Sequence, residues 1–134
     1  MINQISVFVE NKFGRMAAVT KTLEQNGIDI MALSLADTSD FGILRLIVND
    51  PAAAKECLRE AGVMVKTTKV LSAQMDNKPG GLAKILDILT DGQISIEYMY
   101  AFLDTVDEKA WTVLKTDDDA RAENLLKSIG VELR

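Results

Sequence analysis

Few residues of this chain could do covalent chemistry. It contains no His, which removes the commonest general base near neutral pH, the usual zinc ligand and any Ser–His pair. The lone Cys57 permits no intrachain disulfide and no paired-cysteine metal clip. With no His to activate it, Cys57 reads as inert packing on a helix. Three consecutive acids, Asp117-Asp118-Asp119, stand where a helix would begin, and the helix dipole accounts for them better than a metal ion does. Asp104, Asp107 and Glu108 read as a solvated loop. What remains is two polar turns, Asn11-Lys12-Phe13-Gly14 and Asn77-Lys78-Pro79-Gly80. Their glycines suit either a tight strand-to-helix turn or the close approach of backbone to a ligand. Their Asn side chains suit a helix cap, a turn or a ligand contact. Arg15 reads as a solvated first-turn residue or as a carboxylate clamp. Without an activated nucleophile or a Gly-rich phosphate loop, no catalysis is expected, and no metal or cofactor is implied.

Composition narrows the partners. Among 134 residues, 15 Lys and Arg face 20 Asp and Glu, a net charge of −5. That balance argues against sequence-independent nucleic-acid binding and against docking on anionic lipid. A hydrophobic share of 48% is enough for a packed core. No apolar run reaches the roughly 18 residues of a membrane span. Met1 to Glu10 lacks the basic start and cleavage site of a signal peptide, so a cytoplasmic location is expected.

The elements that would position the two turns occur twice. Asn11-Lys12-Phe13-Gly14 returns as Asn77-Lys78-Pro79-Gly80 at an offset of 66, and Leu23, Ile28 and Ile30 return as Leu89, Ile94 and Ile96. Further on the offset drifts: Leu58 aligns with Leu125, and Gly62-Val63 with Gly130-Val131. Alternation at Ile5, Val7 and Val9 gives a strand. Met16, Val19 and Leu23 give a helical stripe that stops at Asn26-Gly27. Two further strands follow, Ile28 to Ala36 and Phe41 to Val48, around the polar turn Asp37 to Asp40. Asp50-Pro51 then caps a helix through Ala54 and Leu58, and Val63 to Lys69 closes the copy. The second copy reads likewise: a strand from Val70, a helix after Pro79, strands Ile94 to Leu103 and Lys109 to Thr116, a helix opened by Asp117 to Asp119, and a short last strand, Val131 to Arg134. The expected fold is α+β, two tandem ferredoxin-like β-α-β-β-α-β domains with antiparallel sheets, 1–68 and 69–134.

The turn Glu10 to Met16 resembles the Asn-x-Pro-Gly-x-Leu signature that follows the first strand of ACT domains, and Asp76 to Leu82 matches it more fully. Asn26-Gly27-Ile28-Asp29-Ile30 is similar to that family's entry to strand two. The resemblance covers essentially the whole chain, as two ACT domains. It implies a stand-alone regulatory module that binds a free amino acid where domains meet, through the first loop and an end of strand two. Carried over residue by residue, it points to Asn11, Gly14, Arg15 and Met16 in the first copy and to Asn77, Gly80, Gly81 and Leu82 in the second. Asp29 and Ser95 stand where serine-regulated relatives place an Asn that contacts the ligand.

This sequence departs from those serine-binding relatives. They carry His two residues before the motif Asn, where Val9 and Met75 stand here; Phe13 replaces Pro, and Asp29 replaces Asn. These departures point away from serine and leave amino-acid binding as a class. The alternative within the same resemblance is a ligand-free assembly or adaptor subunit of an amino-acid metabolic enzyme. Strand two is dense in apolar residues, among them Met31, Leu33, Leu35, Tyr98, Met99 and Phe102. Tyr98, Tyr100 and Trp111 accordingly read as core or interface, and a homodimer is expected.

Overall fold

Strand β1 (Ile2–Glu10) forms because Ile5, Val7 and Val9 alternate, and all three are buried. Gln4 and Ser6, which point the other way, are also buried, and Gln4 Nε2 donates to Ser6 Oγ at 3.1 Å. Both faces of β1 are therefore withdrawn from solvent, where alternation alone implies a half-buried strand. The structure, a computed structural model, describes residues 1–37 and 40–134. The middle of the turn expected over Asp37 to Asp40 lies outside the described residues.

The chain divides into two compact units, one formed by Asn3–Thr68 and the other by Lys69–Arg134 with Met1–Ile2. In the first, β1 is followed by α1 (Arg15–Gln25), β2 (Ile30–Asp37), β3 (Phe41–Val48) and α2 (Pro51–Glu60). Strand β3 pairs antiparallel with both β1 and β2. Helix α2 begins as its sequence dictates: the Asp50 side chain accepts from the Ala53 N–H at 3.0 Å, and Pro51 fills the first turn. The core gathers Ile5, Val7 and Val9 from β1, Leu44, Leu46 and Val48 from β3, Val19 and Leu23 from α1, and Ala54, Cys57 and Leu58 from α2. Cys57 is buried there, and burial pushes its thiol up, which keeps it protonated.

The second unit repeats this with α3 (Gly81–Asp91), β5 (Ile96–Val106), β6 (Lys109–Thr116) and α4 (Asp119–Ser128). Strand β6 pairs antiparallel with β5 and with the end of the preceding strand β4 (Met64–Asp76). Its core joins Leu71 and Ala73 to Ile85, Leu89, Ile94, Leu114, Ala122 and Leu126.

Four expectations change. The two strands foreseen around residue 69 are one, β4 (Met64–Asp76), which runs unbroken through the boundary between units. The foreseen last strand shrinks to a single bridge between Ala73 and Leu133, flanked by the bonds Gln74 N–H to Glu132 and Arg134 N–H to Ser72. Asp104 belongs to β5; the turn is only Asp107-Glu108, both at positive φ, as a two-residue hairpin of type I′ requires. The drift in repeat offset has a location: the β5–β6 register slips between Ala101 and Thr105, where β2–β3 stays regular. Beyond it, the buried partner of Leu58 is Leu126, not the half-buried Leu125.

Candidate functional site

The two motif loops are built alike. In each, the backbone N–H of the Asn is held by the hairpin between the two following strands: Asn11 by the Asp40 carbonyl at 3.2 Å, Asn77 by the Glu108 carbonyl at 2.8 Å. Gly14 and Gly80 then turn the chain at φ 80° and 89°, a left-handed conformation that favours glycine. Each is the N-cap of its helix, and no side chain caps either. The other two helices differ. Asp50 and Asp118 cap α2 and α4 with their own carboxylates. The first-turn N–H groups of α1 and α3 thus meet no capping side chain, and the positive end of each helix dipole faces the loop.

The candidate residues have unequal roles. The Asn11 side chain donates to Asp37 at 3.3 Å, at the far end of β2. Asn11, Met16 and Asp37 line a small cleft of about 200 Å³ with Val9, Glu10, Lys12, Leu35 and Gly42. Met16 is half-buried against the first core. Arg15 is exposed and lines a separate cleft. Phe13, in the place of the motif Pro, is fully exposed. In the second unit Leu82 is exposed, while Gly80 lines a cleft with Ala83, Lys84, Asp87, Ile88, Asp91 and Ile129. Gly81 is set by packing: a Cβ there would lie 1.9 Å from the Asp76 carbonyl oxygen.

Within its own unit neither Asp29 nor Ser95 is brought to the motif loop. Within the first unit Glu10 pairs with Phe41 and Asp37 with Gly42, whereas Ile30 pairs with Val48 at the other end of the sheet. Asp29 therefore stands about 25 Å along β2 from the loop end, at ~3.3 Å per residue. One ligand cannot place its carboxylate at Gly14 and its ammonium at Asp29 of the same unit. The backbone of Asp29 is tied instead to Asn49, and that of Ser95 to Asp117, in matching reciprocal bonds.

The three consecutive acids of the second unit are occupied within it. Asp117 accepts from the Ser95 N–H at 3.0 Å, and Asp118 caps α4. Asp119 accepts from Lys115 Nζ at 2.7 Å and from the Thr116 backbone and hydroxyl at 2.9 and 2.7 Å. Burial by itself would raise the Asp119 carboxyl, but these bonds outweigh it and hold the group below the ordinary carboxylate value. Among the described residues no group of three His, Cys, Asp or Glu is placed to hold a metal ion. No helix of the described residues is long and apolar enough to cross a membrane.

Three functional features escaped the sequence reading. Asp37 meets the motif Asn, although 26 residues separate them. Lys109 pairs with Asp76 beside the second loop, and that bond holds the Asp76 carboxyl below its ordinary value. The connection after α2, Ala61 to Met64, forms the far wall of the Arg15 cleft. No local signal marks any of the three, because each joins distant segments.

Two repeated α+β units, each opening its first helix at an uncapped glycine, define a class of small paired modules. The profile of the family described as "ACT domain pair" matches residues 1–131, and the chain belongs to that family. A crystal structure of protein BT0572 from Bacteroides thetaiotaomicron is 37% identical, with a TM-score of 0.91 over 98% of this chain and 90% of that one. The regulatory subunit of aspartate kinase from Thermus thermophilus, in a ligand-free form, shares the fold at 14% identity and TM-score 0.66, over 94% of this chain and 90% of that one. Its counterpart from Thermus flavus does so at 17% and 0.63, over 95% and 89%. No curated protein matches this sequence.

Proposed function

We propose that this chain is a non-catalytic, cytoplasmic regulatory protein of two ACT domains, 1–68 and 69–134, that binds a free amino acid at its motif loops. The observation that carries this reading is the contrast among the helix starts. Helices α2 and α4 are closed by their own Asp, while α1 and α3 begin at a left-handed glycine with no side-chain cap. A carboxylate would complete them. The ligand carboxylate would meet the backbone N–H groups of Gly14 and Met16, or of Gly80 and Leu82, beside Arg15 and Gly81, whose own N–H groups donate to the Lys12 and Lys78 carbonyls, with Asn11 or Asn77 alongside. Asp29 and Ser95 fall outside the loop site of their own unit. The likeness in fold to regulatory subunits of aspartate kinase agrees with a role in amino-acid metabolism beside a partner enzyme, and the exposed Leu33 and Leu35 on β2 support a homodimer.

The competing reading is a ligand-free adaptor, and the Asn11–Asp37 bond favours it, because that bond already uses the Asn amide. Calorimetric titration of the full chain with each of the twenty amino acids separates the two. Binding of at least one at micromolar affinity, weakened in Asn11→Ala or Asn77→Ala, is the expected result. Affinity unchanged in the folded double variant would place the ligand elsewhere, and no binding at all would leave the adaptor.

A further inference from the structure

The two loops are not equivalent, and the difference lies in the cleft beside Arg15. This cleft of about 350 Å³ falls entirely within the first unit. That volume is within the range of small-molecule sites. Its walls are apolar: Val9 of β1, Ala18 and Val19 of α1, Phe41 of β3, and Val63 and Met64 after α2. Phe41 and Met64 are 51% and 70% exposed, so apolar surface remains open at its mouth. Two charges of opposite sign share the rim, Arg15 and Glu10. Among the described residues Arg15 makes no salt bridge, while Glu10 contacts Lys12 through one carboxylate oxygen at 3.1 Å.

The second unit keeps an acid and several apolar positions but lacks the arginine, the aromatic wall and the open far side of this cleft. The β1–β3 and β4–β6 registers make Asp76 the counterpart of Glu10 and Lys109 the counterpart of Phe41. Lys109 pairs with Asp76, so a salt bridge replaces the aromatic wall and engages the acid. Gly81 stands in the place of Arg15 and leaves no room for a side chain. At the register set by the paired glycines Gly62 and Gly130, Ile129 and Glu132 replace Ala61 and Met64.

Resting on the amino-acid reading above, we infer that the first unit alone takes the ligand, that the ligand is an α-amino acid with an apolar side chain, and that it lies in the Arg15 cleft. The carboxylate lies at the start of α1, where the Arg15 guanidinium, whose fork geometry suits it, joins the uncapped first-turn N–H groups. The ammonium faces the Glu10 carboxylate. The side chain lies against Val9, Val63 and Met64, and the flexible thioether of Met64 adapts to its shape.

The test is calorimetric titration of the full chain with leucine, methionine and phenylalanine, against serine, aspartate and lysine. Two further probes are 4-methylpentanoate, which lacks the ammonium of leucine, and leucinamide, which lacks its carboxylate. The expected result is one apolar amino acid per chain, with both leucine derivatives at least tenfold weaker. Arg15→Gln weakens leucine at least tenfold. Ala18→Leu, which fills the cleft from an exposed helix position, abolishes binding. Circular dichroism of both variants confirms the fold, and each substitution is at an exposed position. A preference for a polar amino acid, two equivalents per chain, or leucine affinity unchanged in both folded variants would overturn this inference while leaving amino-acid binding standing. No heat with any amino acid would reject both readings.

Discussion

Replacing Gly81 with Ala tests whether this glycine serves packing rather than ligand approach. A Cβ at Gly81 would lie 1.9 Å from the Asp76 carbonyl oxygen and 2.9 Å from its carbon. These are backbone atoms at the end of β4, where Asp76 pairs with Lys109 of β6, so they cannot swing aside like a flexible side chain. The start of α3 must lift by about an ångström, and Ile85 and Leu89, both 1% exposed, must move with it. Overpacking of a well-filled site costs about 1–3 kcal/mol, and a backbone clash belongs at the upper end, so we expect about 3 kcal/mol. Gly14→Ala supplies the contrast. Gly14 also has a positive φ, but nothing lies within 4 Å of where the new methyl group would stand, so only backbone strain of about 1–2 kcal/mol applies. Trp111 is the only Trp and stands on β6, so its fluorescence follows the second unit during thermal unfolding, while circular dichroism follows both units. At about 4–8 °C per kcal/mol for a unit of this size, Gly81→Ala should lower the melting temperature of that unit by at least ~12 °C. A shift no larger than the one Gly14→Ala produces in the circular-dichroism melt would refute the packing role and return Gly81 to the ligand.

Two further outcomes follow from the second unit. The Asp119 carboxyl is held below its ordinary value in the folded state, so its contribution to stability is complete above the unfolded value near pH 4 and is lost as pH falls through the lower folded value. Asp119→Asn should therefore flatten the loss of stability below pH 4 seen by Trp111 fluorescence, and an unchanged acid profile would contradict the pairing with Lys115 and Thr116. The Arg134 guanidinium lies 4.0 Å from the Trp111 ring centre and 5.4 Å from that of Phe102. Arg134→Ala should shift the Trp111 emission and lower stability by about 0.5–1 kcal/mol, and an emission spectrum identical to that of the parent would remove the stacked contact.

What the sequence determined was whatever a few adjacent residues encode. The repeat, the helix starts at Gly14, Asp50, Gly80 and Asp118, and the apolar stripes through Val19-Leu23 and Ile85-Leu89 depend on contacts within one or two turns of chain. The type of each element was legible for that reason, and so was the family, whose signature is one such turn. Strand ends were less legible. Continuous pairing carries β4 across residues 64–76, and a two-residue register slip in β5 moves every later counterpart, Leu58 to Leu126 included. Tertiary structure alone decided which candidates meet. Antiparallel pairing carries Asp37 to Asn11 and leaves Asp29 at the opposite end of β2, although Asp29 lies nearer to Asn11 in sequence. It also brings Ala61 to Met64 across from Arg15, and sets Lys109 rather than an aromatic ring beside Asp76. Strand order and register set these distances across tens of residues, and no local pattern contains them.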